Sequence, residues 1–175
     1  MAMTTITFEL NGKETSVDVD CSSSLLNVLR DQLHITSLKS ACVMGECGAC
    51  TIIVDGKAMN SCLILAATVQ GKKVETLESL GDSKNLHPIQ KAFKDTGAFQ
   101  CGFCTPGFVM STKALLDKNP NPTREEVIEG LSGNICRCTG YVKPIDGVMK
   151  AAEDLREMKR VDAVMIAAAS IREEA

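Results

Sequence analysis

CVMGECGAC, residues 42–50, sets three cysteines in a C-x4-C-x2-C run, and Cys62 follows after eleven further residues. This is the spacing of a plant-type [2Fe–2S] site. A tight loop has to aim three sulfurs at one centre and turn backbone N–H groups towards the bridging sulfides. Gly45 and Gly48 allow the φ values and close approach this requires, and Ala49 is small for the same reason. A zinc ribbon would show two short C-x2-C pairs. A Rieske centre needs two histidine ligands, and the only histidines, His34 and His87, lie outside the loop.

Upstream, ITFELNG alternates apolar and polar residues, Asn11-Gly12 is a type I′ hairpin signal, and TSVDV resumes the alternation. Ser22 to Ser24 offer an N-cap for a helix with Leu25, Leu26, Leu29 and Leu33 on one face. Downstream, TIIVDGKAM is a second hairpin turning at Asp55-Gly56 and delivering Cys62. Strand, strand, helix, cysteine loop and further strands spell a small β-grasp sheet over residues 1–77.

ESLGDSKN is polar and reads as a linker, 78–86. Beyond it the pattern turns helical. Pro88 suits N1 of a short helix with Ile89, Ala92 and Phe93, ended by Gly97. Thr105 followed by Pro106 reads as an N-cap with Pro at N1, opening a helix with Phe108, Val109, Thr112, Leu115 and Leu116 on one face. Thr123 and Glu126 form a capping box ahead of Val127, Ile128 and Leu131. Pro144 starts a last helix carrying Ile145, Val148, Met149, Ala152 and Leu155. The expected fold is α+β, a β-grasp ferredoxin-like domain followed by a four-helix bundle over 87–160. The tail, 161–175, presents Val161, Val164, Met165 and Ala168 on one helical face, either extending the last helix or fraying.

The helical half carries its own cysteines. QCGFCTPG, residues 100–107, taken alone suits a redox dithiol, half a zinc site or half an iron–sulfur site. Cys136 and Cys138 of GNICRCTGY lie just after the Thr123 helix, and antiparallel helices would bring both pairs to one end of the bundle. Helix N–H groups after Cys104 and the charge of Arg137 would then favour thiolate.

The chain's 175 residues include nine cysteines and carry a net charge of −3, with a pI near 5.5. Such a balance lacks the basic footprint of a nucleic-acid binder, and with no Trp and one Tyr there is no base-stacking platform. The N-terminus shows no signal-peptide pattern and no apolar run reaches a membrane span, so a cytoplasmic location is expected. There, an odd and large cysteine count suggests metal rather than disulfides. Cys21 is expected as a small buried residue, and the methionines at helical spacing as core.

Together, CVMGECGACT, QCGFCTPG and GNICRCTGY resemble the iron–sulfur subunit of the molybdenum hydroxylases, the xanthine dehydrogenase family, over about residues 4–157. The resemblance implies an outer [2Fe–2S] cluster on Cys42, Cys47, Cys50 and Cys62, nearer a flavin. It implies an inner [2Fe–2S] cluster on Cys101, Cys104, Cys136 and Cys138, nearer the molybdenum cofactor. Gln100 matches the residue that hydrogen-bonds the pterin, and Cys138 the ligand nearest to it. Ala41, Val43 and Met44 depart from the Gly or acidic residues of many relatives. The chain has no room for a molybdopterin or FAD domain. The implied role is therefore an electron-transfer subunit relaying single electrons from a large molybdopterin subunit to an FAD-binding medium subunit, in a dimer of heterotrimers. The whole enzyme would hydroxylate an aromatic N-heterocycle of xanthine or nicotinate type; an aldehyde, carbon monoxide or an aryl-CoA are the alternatives. Catalytic residues are not expected in this chain. Two readings from other classes compete, a structural zinc-binding interaction module and a thiol oxidoreductase using Cys101 and Cys104.

Overall fold

Two hairpins begin the sheet. In the computed structural model, which describes residues 2–173 apart from the side chains of Val164 and 167–173, strands β1 (Met3–Leu10) and β2 (Lys13–Asp20) pair antiparallel. The turn between them has positive φ at both Asn11 (52°) and Gly12 (79°), the type I′ geometry that matches strand twist. Strands β3 (Thr51–Val54) and β4 (Lys57–Asn60) repeat the device at Asp55 (φ 48°) and Gly56 (φ 78°). Strand β5 (Lys73–Glu75) lies between β1, to which it is parallel, and β3, to which it is antiparallel, giving the order β2-β1-β5-β3-β4.

Across this sheet lies α1 (Leu25–Asn27), capped by Ser24 and continuing as a π-helical turn, Val28–Gln32. The wide turn lets Leu25, Leu26, Val28 and Leu29 all face the sheet residues Ile6, Phe8, Val19, Ile52 and Val54, forming the first core. Leu33 packs only at its margin. Arg30 Nη1 donates to the carbonyls of Leu38 (2.5 Å) and Thr36 (3.3 Å), which anchors the segment leading into the cysteine loop.

The second half is helical: α2 (Pro88–Asp95), α3 (Thr105–Lys118), α4 (Arg124–Gly130) and α5 (Val142–Glu173). Helix α5 packs along α2 and touches α3 and α4, while α3 also lies against β3 and β4. That double contact explains why Met110 and Ser111 are buried as well as Phe108, Val109, Thr112 and Leu116. The second core joins Ile89, Phe93, Phe108, Val127, Leu131 and Val148. Leu77 and Leu80 pack against it, so the segment between the two cores is fastened to the helices at its start.

Several local expectations need correction. The N-cap of α3 is Cys104, without a side-chain cap bond, and Thr105 is already helical. The glycine at 102, accepting the Thr105 amide at 3.3 Å, starts the turn one residue early. Ile128 is 50% exposed, because α4 buries only Val127 and Leu131. Cys21 is exposed where the chain leaves β2; of the helical methionines Met110 is buried and Met149 packs on the second core, but Met158 and Met165 are exposed rather than core. Helix α5 begins at Val142, before Pro144, and runs unbroken to Glu173. Val161 and Met165 of its expected apolar stripe are exposed; the side chains of Val164 and Ala168 lie outside the described residues.

Candidate metal centres

The first cysteine set sits on the loop between α1 and β3, with Cys62 on the 3₁₀ turn Ser61–Leu63 after β4. Gly45 (φ 82°) and Gly48 (φ 65°) occupy the left-handed region. A Cβ on Gly45 would lie 2.3 Å from Leu63 Cδ1, and one on Gly48 would lie 2.3 Å from the Gly133 carbonyl. Val43 is also left-handed, at φ 56°, an uncommon state for a β-branched residue. Asn60 Nδ2 donates to the Gly45 carbonyl (2.6 Å) and Ser61 Oγ to the Cys50 carbonyl (2.9 Å). These bonds hold the strand that carries Cys62 against the loop.

The second set straddles the start of α3 and the loop after α4. Cys101 and Cys138 Sγ atoms are 3.7 Å apart, and Cys136 is near enough to Cys104 to shift its acidity. The structure therefore brings all four together, from positions up to 37 residues apart. Cys101 and Cys138 are exposed, as is Gln100, while Cys136 is buried. Tyr141, left-handed at φ 68°, accepts the Cys136 amide on its hydroxyl at 3.0 Å and sets its ring at a tilt to Phe108, centroids 6.3 Å apart.

Thiol acidities follow these environments. The amides of Met44 and Cys47 draw Cys42 down to about 6. Burial, aided by the adjoining Cys50 thiol, pushes Cys62 up to about 11. Burial likewise pushes Cys104 up to about 12, with Cys136 beside it adding to the effect. At Cys136 burial acts upward, but the Thr139 hydroxyl (3.1 Å) and amide (3.5 Å) outweigh it and leave about 7. Cys138 is raised by the neighbouring Cys101 thiol. The expectation that helix N–H groups and Arg137 would acidify this set is thus corrected: burial dominates at Cys104, and Thr139 acts at Cys136.

The donor set fits iron–sulfur chemistry. Each half offers four neighbouring thiols: Cys101 and Cys138 lie 3.7 Å apart, and the thiols of Cys42 and Cys47, Cys50 and Cys62, and Cys104 and Cys136 are near enough to shift one another's acidity. Two thiolates per iron is what a two-iron cluster takes. Thr105 Oγ1, next to Cys104, is buried without a hydrogen-bond partner, as a donor awaiting a cofactor sulfur would be.

The two loops also meet, which the sequence did not foretell. Ile135 N–H donates to the Cys47 carbonyl (2.9 Å), and Asn134 Nδ2 to the Gly48 carbonyl (3.1 Å). Thr51 donates to that same carbonyl through its hydroxyl (2.7 Å) and its amide (3.2 Å). Gly107 of α3 lies so close that a Cβ there would be 2.1 Å from it. Asn134 was the unremarked residue of GNICRC; its position two before Cys136 was the only signal.

Among the described residues, no helix is long and apolar enough to cross a membrane. Residues 8–83 match the 2Fe-2S iron-sulfur cluster binding domain family, and residues 76–149 match the [2Fe-2S] binding domain family. The nicotine 6-hydroxylase small subunit of Paenarthrobacter nicotinovorans is 51% identical over 146 residues, covering 83% of this chain and 88% of that protein. The xanthine dehydrogenase iron-sulfur-binding subunit of Escherichia coli O157:H7 is 45% identical over 149 residues, covering 83% and 93%. The solved structure of quinoline 2-oxidoreductase from Pseudomonas putida 86 superposes with a TM-score of 0.84 at 40% identity, covering 89% of this chain and 97% of that one. With two [2Fe–2S]-binding domains and this degree of likeness, the chain belongs to the iron–sulfur small subunits of the xanthine dehydrogenase family of molybdenum hydroxylases, the electron-transfer subunits of those oxidoreductases.

Proposed function

We propose that Cys42, Cys47, Cys50 and Cys62 hold one [2Fe–2S] cluster, and Cys101, Cys104, Cys136 and Cys138 the other. The pairing of the thiols supports the ligand assignment. When bound, such clusters supply one-electron carriers. The observation that carries the relay is the Ile135 N–H to Cys47 carbonyl bond. It joins a residue beside Cys136 to the backbone of a first-set cysteine, so a direct backbone link connects the two sites within this chain.

The second set faces the electron source. Gln100, Cys101 and Cys138 are exposed there with Phe99, Phe103 and Tyr141 around them, an apolar collar suited to a covering subunit. We assign that cover to a large molybdopterin subunit, with Gln100 hydrogen-bonding the pterin. The first set, edged by exposed Val43, Met44 and Leu63, then faces an FAD-binding medium subunit, and the assembly is a dimer of heterotrimers in the cytoplasm. Domain limits of 1–77 and 87–160 with a linker at 78–86 complete this reading. Relatives acting on nicotine, xanthine and quinoline support an aromatic N-heterocycle as the substrate of the whole enzyme. An aldehyde is the second reading, since an aldehyde oxidoreductase is 45% identical over 146 residues.

Iron analysis and EPR of the dithionite-reduced protein test the relay. About four irons per chain and two S = 1/2 signals are expected. Cys47→Ala should abolish one signal and spare the other. A colourless, iron-free protein after anaerobic purification refutes the proposal in favour of zinc or a dithiol. Activity of the purified complex on heterocycles and on aldehydes decides the substrate class.

A further inference from the structure

Hydroxyls of threonines within helices ordinarily return to a carbonyl three or four residues back. Others in this chain do so: Thr112 Oγ1 donates to the Phe108 carbonyl at 2.7 Å, Thr68 Oγ1 to the Leu65 carbonyl at 2.7 Å, and Thr96 Oγ1, at the end of α2, to the Ala92 carbonyl at 2.8 Å. Thr105 does not. The carbonyl of Gly102, three residues back, takes the Thr105 amide at 3.3 Å, while the hydroxyl has no partner and its oxygen is shielded from solvent. Among the described residues it is the only buried side-chain nitrogen or oxygen in that condition.

Its position gives the orphan a meaning. Thr105 is bonded to Cys104 and lies four residues after Cys101, in the turn that presents both sulfurs. Cys104 and Cys136 form the less exposed thiol pair of the second set, and Cys136 already receives two donors from Thr139. A buried hydroxyl in that setting is a third donor still without its acceptor. The chemistry that suits it is a sulfur bearing negative charge.

We infer that the Thr105 hydroxyl donates a hydrogen bond to a sulfur of the second cluster, a bridging sulfide or the Cys104 thiolate, and thereby raises that cluster's reduction potential. The inference rests on the two-cluster reading above. Reduction adds one electron and no proton. The added charge sits partly on the sulfurs, so a fixed O–H donor stabilises the reduced form more than the oxidised form. Thr105 in this scheme tunes the redox centre's energy and does not act on substrate.

The purified enzyme complex carrying the full chain is the test object, as wild type, Thr105→Val and Thr105→Ser. Valine keeps the shape and removes the donor; serine keeps the donor. Each is analysed for iron and titrated electrochemically with EPR detection of both signals. Thr105→Val is expected to keep its iron and move the midpoint of one signal to lower potential, with the other unmoved. Thr105→Ser should stay near wild type. Wild-type midpoints in Thr105→Val, or an equal shift in both variants, overturn the inference. Should Thr105→Val lose one signal, retention of that signal in Thr105→Ser at the wild-type midpoint supports the hydroxyl's role, and its loss there refutes it. A wild type showing fewer than two signals defeats the two-cluster reading itself, a failure visible before any variant is made.

Discussion

Gly107→Ala isolates the contact between the two cysteine loops. Gly107 lies in α3 without a positive φ, so alanine brings no backbone strain and would gain roughly 1 kcal/mol of helix propensity. The added Cβ, however, would lie 2.1 Å from the Gly48 carbonyl oxygen and 3.1 Å from Asn134 Nδ2. The first partner is backbone, pinned by three donors from Thr51 and Asn134, and has little freedom to retreat. Overpacking of this kind costs about 1–3 kcal/mol. Pushing the loops apart also loses the Asn134 and Ile135 bonds, at about 1 kcal/mol each. Less the helix gain, the net is a destabilisation of about 2–4 kcal/mol, or a fall of about 1–2 M in urea midpoint for a slope near 2 kcal/mol/M. Far-UV circular dichroism in urea reads the midpoint. The magnetic interaction between the two EPR signals reads the spacing, and it should weaken. Gly133→Ala is the control, because a Cβ there meets nothing within 4 Å and should cost no more than about 0.5 kcal/mol. If Gly107→Ala matches Gly133→Ala in both measurements, the loop contact does not carry the weight given to it.

Three further outcomes are expected. Thr123→Ala removes the cap that accepts the Glu126 amide at 3.2 Å and should cost about 1 kcal/mol, read as a lowered urea midpoint with both EPR signals kept. His87 Nδ1 accepts the Ile89 amide at 3.2 Å, so its cap requires an unprotonated Nδ1. Burial and then the Lys113 charge lower its pKa, so the unfolded chain binds the proton more readily. The cap's stability is complete above the unfolded value of about 6.5 and declines as pH falls below it. The midpoint difference between wild type and His87→Asn, which caps without titrating, should therefore change between pH 7.5 and 5.5, and constancy of that difference would count against the cap. Gln100→Ala should leave iron content and both signals intact while slowing reduction of the clusters by substrate at least several-fold in stopped flow.

Much of the fold was legible because its signals are local. Asn11-Gly12 and Asp55-Gly56 each took positive φ at both positions, and the Thr123 capping box formed as read. The C-x4-C-x2-C run and the two later pairs pointed to the cysteines that the fold gathers. What stayed hidden depends on neighbours distant in sequence. Asn134 meets Gly48 across 86 residues, a contact that no window of sequence contains. Ile128 looked like core by periodicity, yet α4 has partners on one side only. Thr105 resembled an N-cap by residue type, but Gly102 let the chain turn earlier and passed the cap position to Cys104.

Cys47, Gly48, Ile135 and Gly107 meet through main-chain atoms, with the Asn134 side chain as the added tie. Side chains hop between rotamers within nanoseconds, whereas backbone locked by several hydrogen bonds does not. In the relay proposed above, the gap an electron has to cross between the two halves would consequently be insensitive to thermal rattling of the surface. It would also be insensitive to most amino-acid replacements, since few of them alter a carbonyl or an amide. Under that proposal, replacements on the outer faces would leave the tunnelling distance inside as it was.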